Sequence, residues 1–112
     1  MTIGMTLNDL TEEINANAVV HGFWEGERNF GEMIALAHSE LSEALEEHRS
    51  GRAAEYFAPH NPDKPEGVAV ELADCIIRCL DTMYSLGVDI DAVVARKMAY
   101  NASRPYKHAR NY

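Results

Sequence analysis

The chain is short of cysteine, tryptophan, basic residues and long apolar runs, and each shortage closes off a class of protein. Its two cysteines, Cys75 and Cys79, stand four apart inside an apolar stretch. That is too few for a disulfide framework and lacks the companion ligands of a structural zinc site, so they read as buried free thiols. No apolar segment approaches the roughly 18 residues of a membrane span. The N-terminus has neither the basic start nor the continuous apolar run of a secretory signal, so the expected setting is cytoplasmic, with no membrane partner. Ten bases against 18 acids give a formal charge of −8, which argues against a nucleic-acid polymer as partner. With 112 residues there is room for one domain, 1–112, built on a modest core.

Acid itself is missing from one place. Residues 95–112 carry five bases (Arg96, Lys97, Arg104, Lys107, Arg110) and no Asp or Glu, whereas 1–94 hold all 18 acids for a net of −13. A cationic ending, with a basic tail over about 102–112, can serve an acidic site or its anionic ligand.

The apolar spacing predicts four helices. Thr6 with Asp9 three residues on is an approximate capping box, and Leu7, Leu10, Ile14 and Ala18 follow at helical spacing, giving a helix over about 6–20. Residues 21–28 hold two glycines and no period and read as a loop. Its aromatic pair can plug the core or offer a stacking surface: Phe23 reads as the plug, and for Trp24 both readings stay open. Asn29 with Glu32 marks the start of a second helix that stops at Gly51, with Phe30, Met33, Ile34, Ala37, Leu41, Ala44 and Leu45 as its apolar stripe. Residues 51–65 contain three prolines and read as a connection, long for a helix–helix link and anchored by Tyr56 and Phe57. Asp63, Pro65 and Glu66 predict the start of a third helix at about 65, running to Leu86 and broadly apolar. Asp89 caps a fourth, along which Lys97 and Asn101 share one side, until Pro105 forces Arg104 out of helical geometry.

Two acidic signatures stand out against this frame: Glu40-Leu41-Ser42-Glu43 on the second helix and Glu71-Leu72-Ala73-Asp74 on the third. Carboxylates three apart project from the same side of a helix. Antiparallel packing would then bring Glu40, Glu43, Glu71 and Asp74 into one small volume, which demands cations. A ligand set of hard oxygens without His or Cys selects Mg²⁺, with Mn²⁺ as the alternative ion, and a carboxylate-bound Mg²⁺ completes its shell with waters and substrate phosphates. Taken singly, either pair would read as a solvated charge run; the second pair changes that. Arg78, four beyond Asp74, reads as its local partner.

These residues resemble the MazG-like all-α nucleoside triphosphate pyrophosphohydrolases, whose pattern is Glu-x-x-Glu on one helix and Glu-x-x-Asp on the next. The approach Arg28-Asn29-Phe30 and the ending Lys97-Met98-Ala99-Tyr100-Asn101 followed by Arg104-Pro105-Tyr106-Lys107-His108 are similar to that family too, and the resemblance covers about 20–110. It implies an all-α, antiparallel four-helix bundle assembled as a homodimer or homotetramer. It also implies Mg²⁺ on Glu40, Glu43, Glu71 and Asp74, and cleavage of a nucleoside triphosphate to the monophosphate and pyrophosphate. Lys97, Asn101 and Arg104 would then hold the triphosphate, with Trp24 and His38 as the base platform. The competing reading is a non-catalytic helical bundle that binds a nucleotide or a partner through the same acidic face. A carboxylate di-iron bundle would carry Glu-x-x-His, which neither pair provides.

Overall fold

A computed structural model describes residues 5–26 and 28–105. Residues 106–112 of the basic ending, with Tyr106, Lys107 and His108 among them, lie outside the described residues. The described residues form four helices, α1 (Leu7–Val20), α2 (Phe30–Arg49), α3 (Val68–Ser85) and α4 (Ile90–Ser103). Three of them start where the local signals say. Thr6 Oγ1 accepts from the Asp9 amide at 3.0 Å while Asp9 accepts from the Thr6 amide, a complete capping box. Asn29 and Asp89 cap α2 and α4 through their side chains. Gly51 and Gly87, at φ 69° and 70°, end α2 and α3 in the left-handed conformation that glycine takes without strain.

The stretch between α2 and α3 corrects the pure all-α reading. It folds as an antiparallel hairpin, β1 (Tyr56–Ala58) with β2 (Asn61–Glu66). Tyr56 faces Glu66 and Phe57 faces Pro65, but Ala58 faces Asn61, so residues 62–64 are looped out of the ladder. A two-stranded sheet has only edges, which is where Pro62 and Pro65 are tolerated. The anchor is Ala58, 2% exposed; Phe57, at 57%, faces outward. The Asp63-Pro65 start signal is overridden, and α3 begins at Val68 without a side-chain cap. The Ala54 carbonyl accepts from the Ala69 amide instead, at 2.9 Å. Gly67, at φ 120°, is required at this junction, because a Cβ there would collide with that same carbonyl.

α2 and α3 make the most extensive interface. Glu43 meets Glu71 while Glu40 meets Arg78, so the two helices run antiparallel. α1 lies along α3, tied by Asn15 to Asp81 at 2.9 Å. α4 packs on α1 and α3 but, among the described residues, not on α2, so the four helices do not close around one core. Met33, Ala44, Leu80 and Ile90 are buried, while Phe30, Ile34, Leu41 and Leu45 point outward. The stripe expected on α2 is therefore two adjacent stripes with only one facing in, and Glu40, 7% exposed, belongs to that inward one. Cys75 is half-buried and Cys79 exposed, so the thiols are free but not core residues.

α1 and α4 are joined by mutual capping. Asp91 accepts from the Leu7 and Asn8 amides at 2.9 and 3.3 Å, while Asn8 accepts from the Ile90 amide at 2.9 Å and donates to Asp89. Removing the Asp91 carboxylate strips two half-buried N–H groups of their acceptor. Asp91→Ala should therefore cost about 1–3 kcal/mol in urea unfolding. A midpoint equal to wild type would mean that water replaces the carboxylate without loss.

Candidate metal centre

Glu40 and Glu43 project from one face of α2, and Glu71 stands one turn into α3, with its amide bonded to the Gly67 carbonyl at 3.0 Å. Across the antiparallel interface these three each place a carboxylate oxygen so that all lie within 4.8 Å of one another. Asp74, one turn further along α3, is not in that triad; it lines an adjoining cavity beside Glu40. The four predicted acids thus converge as three plus one.

The electrostatics show how three carboxylates tolerate each other. Burial raises the Glu71 carboxyl, and hydrogen bonds with Glu43 and Glu40 and the charges of Glu43 and Asp74 push it further, to about 8. A carboxyl raised that far holds a proton at neutral pH when no metal is bound. Burial also works to raise Glu40, but its hydrogen bonds to Arg78 and to Glu71 outweigh that and leave it below the ordinary 4.5. Asp74 is raised by burial and by the Glu40 charge, with Arg78 opposing. Arg78 Nε donates to Glu40 Oε1 at 2.9 Å, so its partner is across the helix pair rather than Asp74 on its own helix.

One atom is left over. Glu71 Oε2 is buried and accepts no hydrogen bond among the described residues. An orphaned buried carboxylate oxygen inside an all-oxygen cluster fits a hard divalent cation, which would satisfy it and displace the proton. Glu40, Glu43 and Glu71 are the residues that would hold the ion.

The remaining site residues divide. A cavity of about 190 Å³ opens beside Glu40 and Asp74, walled by Ile14, Phe23, Ile77 and Arg28. Phe23, 52% exposed, is thus a wall rather than a core plug. Trp24 is tied down: its indole N–H donates to Asp81 at 2.8 Å and the Arg28 guanidinium covers its ring at 5.4 Å. His38 is exposed on α2 and is not part of the carboxylate cluster. Lys97, Asn101 and Arg104 line neither of the two cavities beside the cluster; Lys97 and Arg104 instead flank the Tyr100 ring at 5.1 and 5.5 Å. Arg78 takes Glu40 in place of the Asp74 expected of it, and Asp81, with no role expected, holds both Asn15 and Trp24. Their signal was the polar row Glu71, Asp74, Arg78, Asp81 at helical spacing on an otherwise apolar α3.

Comparison with protein-family models, with curated proteins and with solved structures returned no match.

Proposed function

We propose that the chain is a Mg²⁺-dependent nucleoside triphosphate pyrophosphohydrolase of the MazG-like kind, working in the cytoplasm. The observation that carries this reading is the triad Glu40, Glu43 and Glu71 with the buried, unpartnered Oε2 of Glu71. A divalent ion held there supplies charge neutralisation for phosphate oxygens and acidifies water for attack. The reaction consumes one water: its oxygen adds to the α-phosphorus, the bond to the α–β bridging oxygen breaks, and monophosphate and pyrophosphate leave. The chain's own residues bind and orient. Arg78 fixes Glu40 in its rotamer and Glu71 gives up its proton to become a ligand. The cavity beside Glu40 is a size suited to one base rather than to a polymer strand. The test is Mg²⁺-dependent release of pyrophosphate from a panel of nucleoside triphosphates; binding without release would instead support the non-catalytic bundle.

Within this reading the base stacks on Phe23, because Trp24 already spends its N–H on Asp81 and one face on Arg28. Phe23→Ala should raise KM about tenfold, given about 1–3 kcal/mol per stacked base. Trp24→Phe should lower the melting temperature and leave KM near wild type. The reverse pattern would return the base to Trp24.

No helix among the described residues is long and apolar enough to cross a membrane. The outward apolar side chains of α2 and α3, with Leu41 48%, Leu72 45% and Ile76 57% exposed, support burial against further copies as a homodimer or homotetramer. Sedimentation should show a species larger than the 12.5 kDa chain at micromolar concentration. A monomer there would remove the assembly from this reading.

A further inference from the structure

The carboxylate triad has a second opening, on the side away from the Phe23 cavity. The hairpin and the end of α2 enclose a groove of about 620 Å³ whose inner wall includes Glu43 and Glu71. Its outer wall carries Arg52, Tyr56 and Lys64, the last in the segment that the strand register loops out. These groups are held by carboxylates of the groove itself. Arg52 pairs with Glu47 at 3.0 Å, Tyr56 donates to the same carboxylate, and Lys64 pairs with Glu66 at 3.3 Å. Glu46 adds one more negative charge.

Both cations stay wet, Arg52 with 55% and Lys64 with 62% of the side chain exposed. Ion pairs of that kind contribute about 0–1 kcal/mol, so either cation exchanges its carboxylate for a stronger anion at little cost. A phosphate group is such an anion, and the planar guanidinium of Arg52 offers it a two-pronged contact. The layout also has a direction. On one side of the triad lies a small cavity walled by Phe23, Ile14 and Ile77; on the other lies a larger, polar groove with two exchangeable cations.

Resting on the metal-centre reading above, we propose that the hairpin groove is the diphosphate subsite. Arg52 and Lys64 hold the two terminal phosphates of the substrate, the part that leaves as pyrophosphate, and Glu47 occupies Arg52 until that anion arrives. The α-phosphorus then lies over the triad, between a nucleoside cavity and a pyrophosphate groove. This assigns to the hairpin the phosphate contacts expected from Lys97 and Arg104, which flank Tyr100 and do not line the groove.

The experiment is calorimetric binding of inorganic pyrophosphate in saturating Mg²⁺, with Mn²⁺ binding followed separately by electron paramagnetic resonance. Arg52→Ala and Lys64→Ala should each weaken pyrophosphate about tenfold, the scale of one charge-assisted contact, and leave Mn²⁺ binding unchanged. Arg52→Gln and Lys64→Gln repeat the measurement in case an alanine variant loses its hairpin. Glu47→Gln frees Arg52 and should tighten pyrophosphate about three- to tenfold. Glu46→Gln removes the same charge from the same groove without releasing Arg52 and should tighten it by about twofold at most. Isotherms for the Arg52 and Lys64 variants that match wild type overturn the subsite, as does absence of pyrophosphate binding in wild type or an equal gain from Glu46→Gln and Glu47→Gln. The hydrolase reading is decided separately by turnover. Nucleotide cleavage with unaltered Arg52 and Lys64 variants refutes the groove alone, while Arg52- and Lys64-dependent pyrophosphate binding without cleavage supports the groove and refutes the hydrolase.

Discussion

Glu71→Gln should lower Mg²⁺-dependent pyrophosphate release at least about a hundredfold, a loss of about 2.7 kcal/mol of transition-state stabilisation, with the fold intact. The fold should survive because the carboxyl at 71 titrates at about 8 and is mostly protonated at pH 7, so the amide copies the state the metal-free protein already occupies. The pH dependence gives the same substitution a second readout. A folded-state value raised from 4.5 to about 8 adds stability that is fully present below 4.5 and is lost as pH rises through about 8. Metal-free wild type should therefore lose stability across that window, and Glu71→Gln should flatten the decline. Mg²⁺ binding should release a proton in the same window, with affinity falling about tenfold per unit below pH 8, and the variant should release none. Unaltered turnover of Glu71→Gln at saturating Mg²⁺ would falsify the metal assignment.

Arg78→Ala should have the largest effect on stability. It leaves the Glu40 carboxylate, 7% exposed, without its cation. Breaking a fully buried pair costs about 3–5 kcal/mol; with 31% of the Arg78 side chain in water, about 2–4 kcal/mol is expected at pH 7. Burial pushes Glu40 up, and the Arg78 hydrogen bond is the main influence that brings it below 4.5. A depressed carboxyl contributes stability above 4.5 that is lost as pH falls through its lower folded value, so the gap between wild type and variant should narrow at low pH. Mg²⁺ should restore part of the loss at pH 7 by replacing the missing positive charge. Urea midpoints at both pH values, with and without Mg²⁺, measure all of this, and a gap independent of pH would exclude the ion pair as its cause.

What the sequence disclosed was local. Thr6 with Asp9, Asn29, Asp89, Gly51 and Gly87 mark helix ends through contacts within a few residues, and each stands where expected. The convergence of Glu40, Glu43 and Glu71 was also legible, because spacing of three fixes a face and antiparallel pairing of two such helices leaves little else for those faces to meet. The hairpin was not. Asn61-Pro62-Asp63-Lys64-Pro65-Glu66 has no alternation and two prolines, and it becomes a strand because Tyr56 and Ala58 stand opposite and because Ala54 caps α3 from a distance. The same long-range contact defeated the Asp63-Pro65 signal. On α2 the helical period could not say which of two neighbouring apolar stripes faces in. In the loop, which has no period, Phe23 walls a cavity instead of plugging the core, and the question left open for Trp24 is decided by Asp81, far along the chain, which claims the indole.

The junction at Gly67 makes the hairpin a lever with its fulcrum beside the acidic triad. The Ala54 carbonyl bonds the first turn of α3 and blocks any side chain at 67, while the Gly67 carbonyl holds the amide of Glu71. The stem therefore cannot shift without carrying Glu71 with it, whereas the tip at Pro59 and His60 hangs free of that linkage. Length added at the tip, between the Ala58 anchor and Asn61, would change the reach of the groove wall that Pro59 lines. A single residue added between Gly67 and Glu71 would swing the carboxyl by about 100° around the helix, out of the cluster altogether.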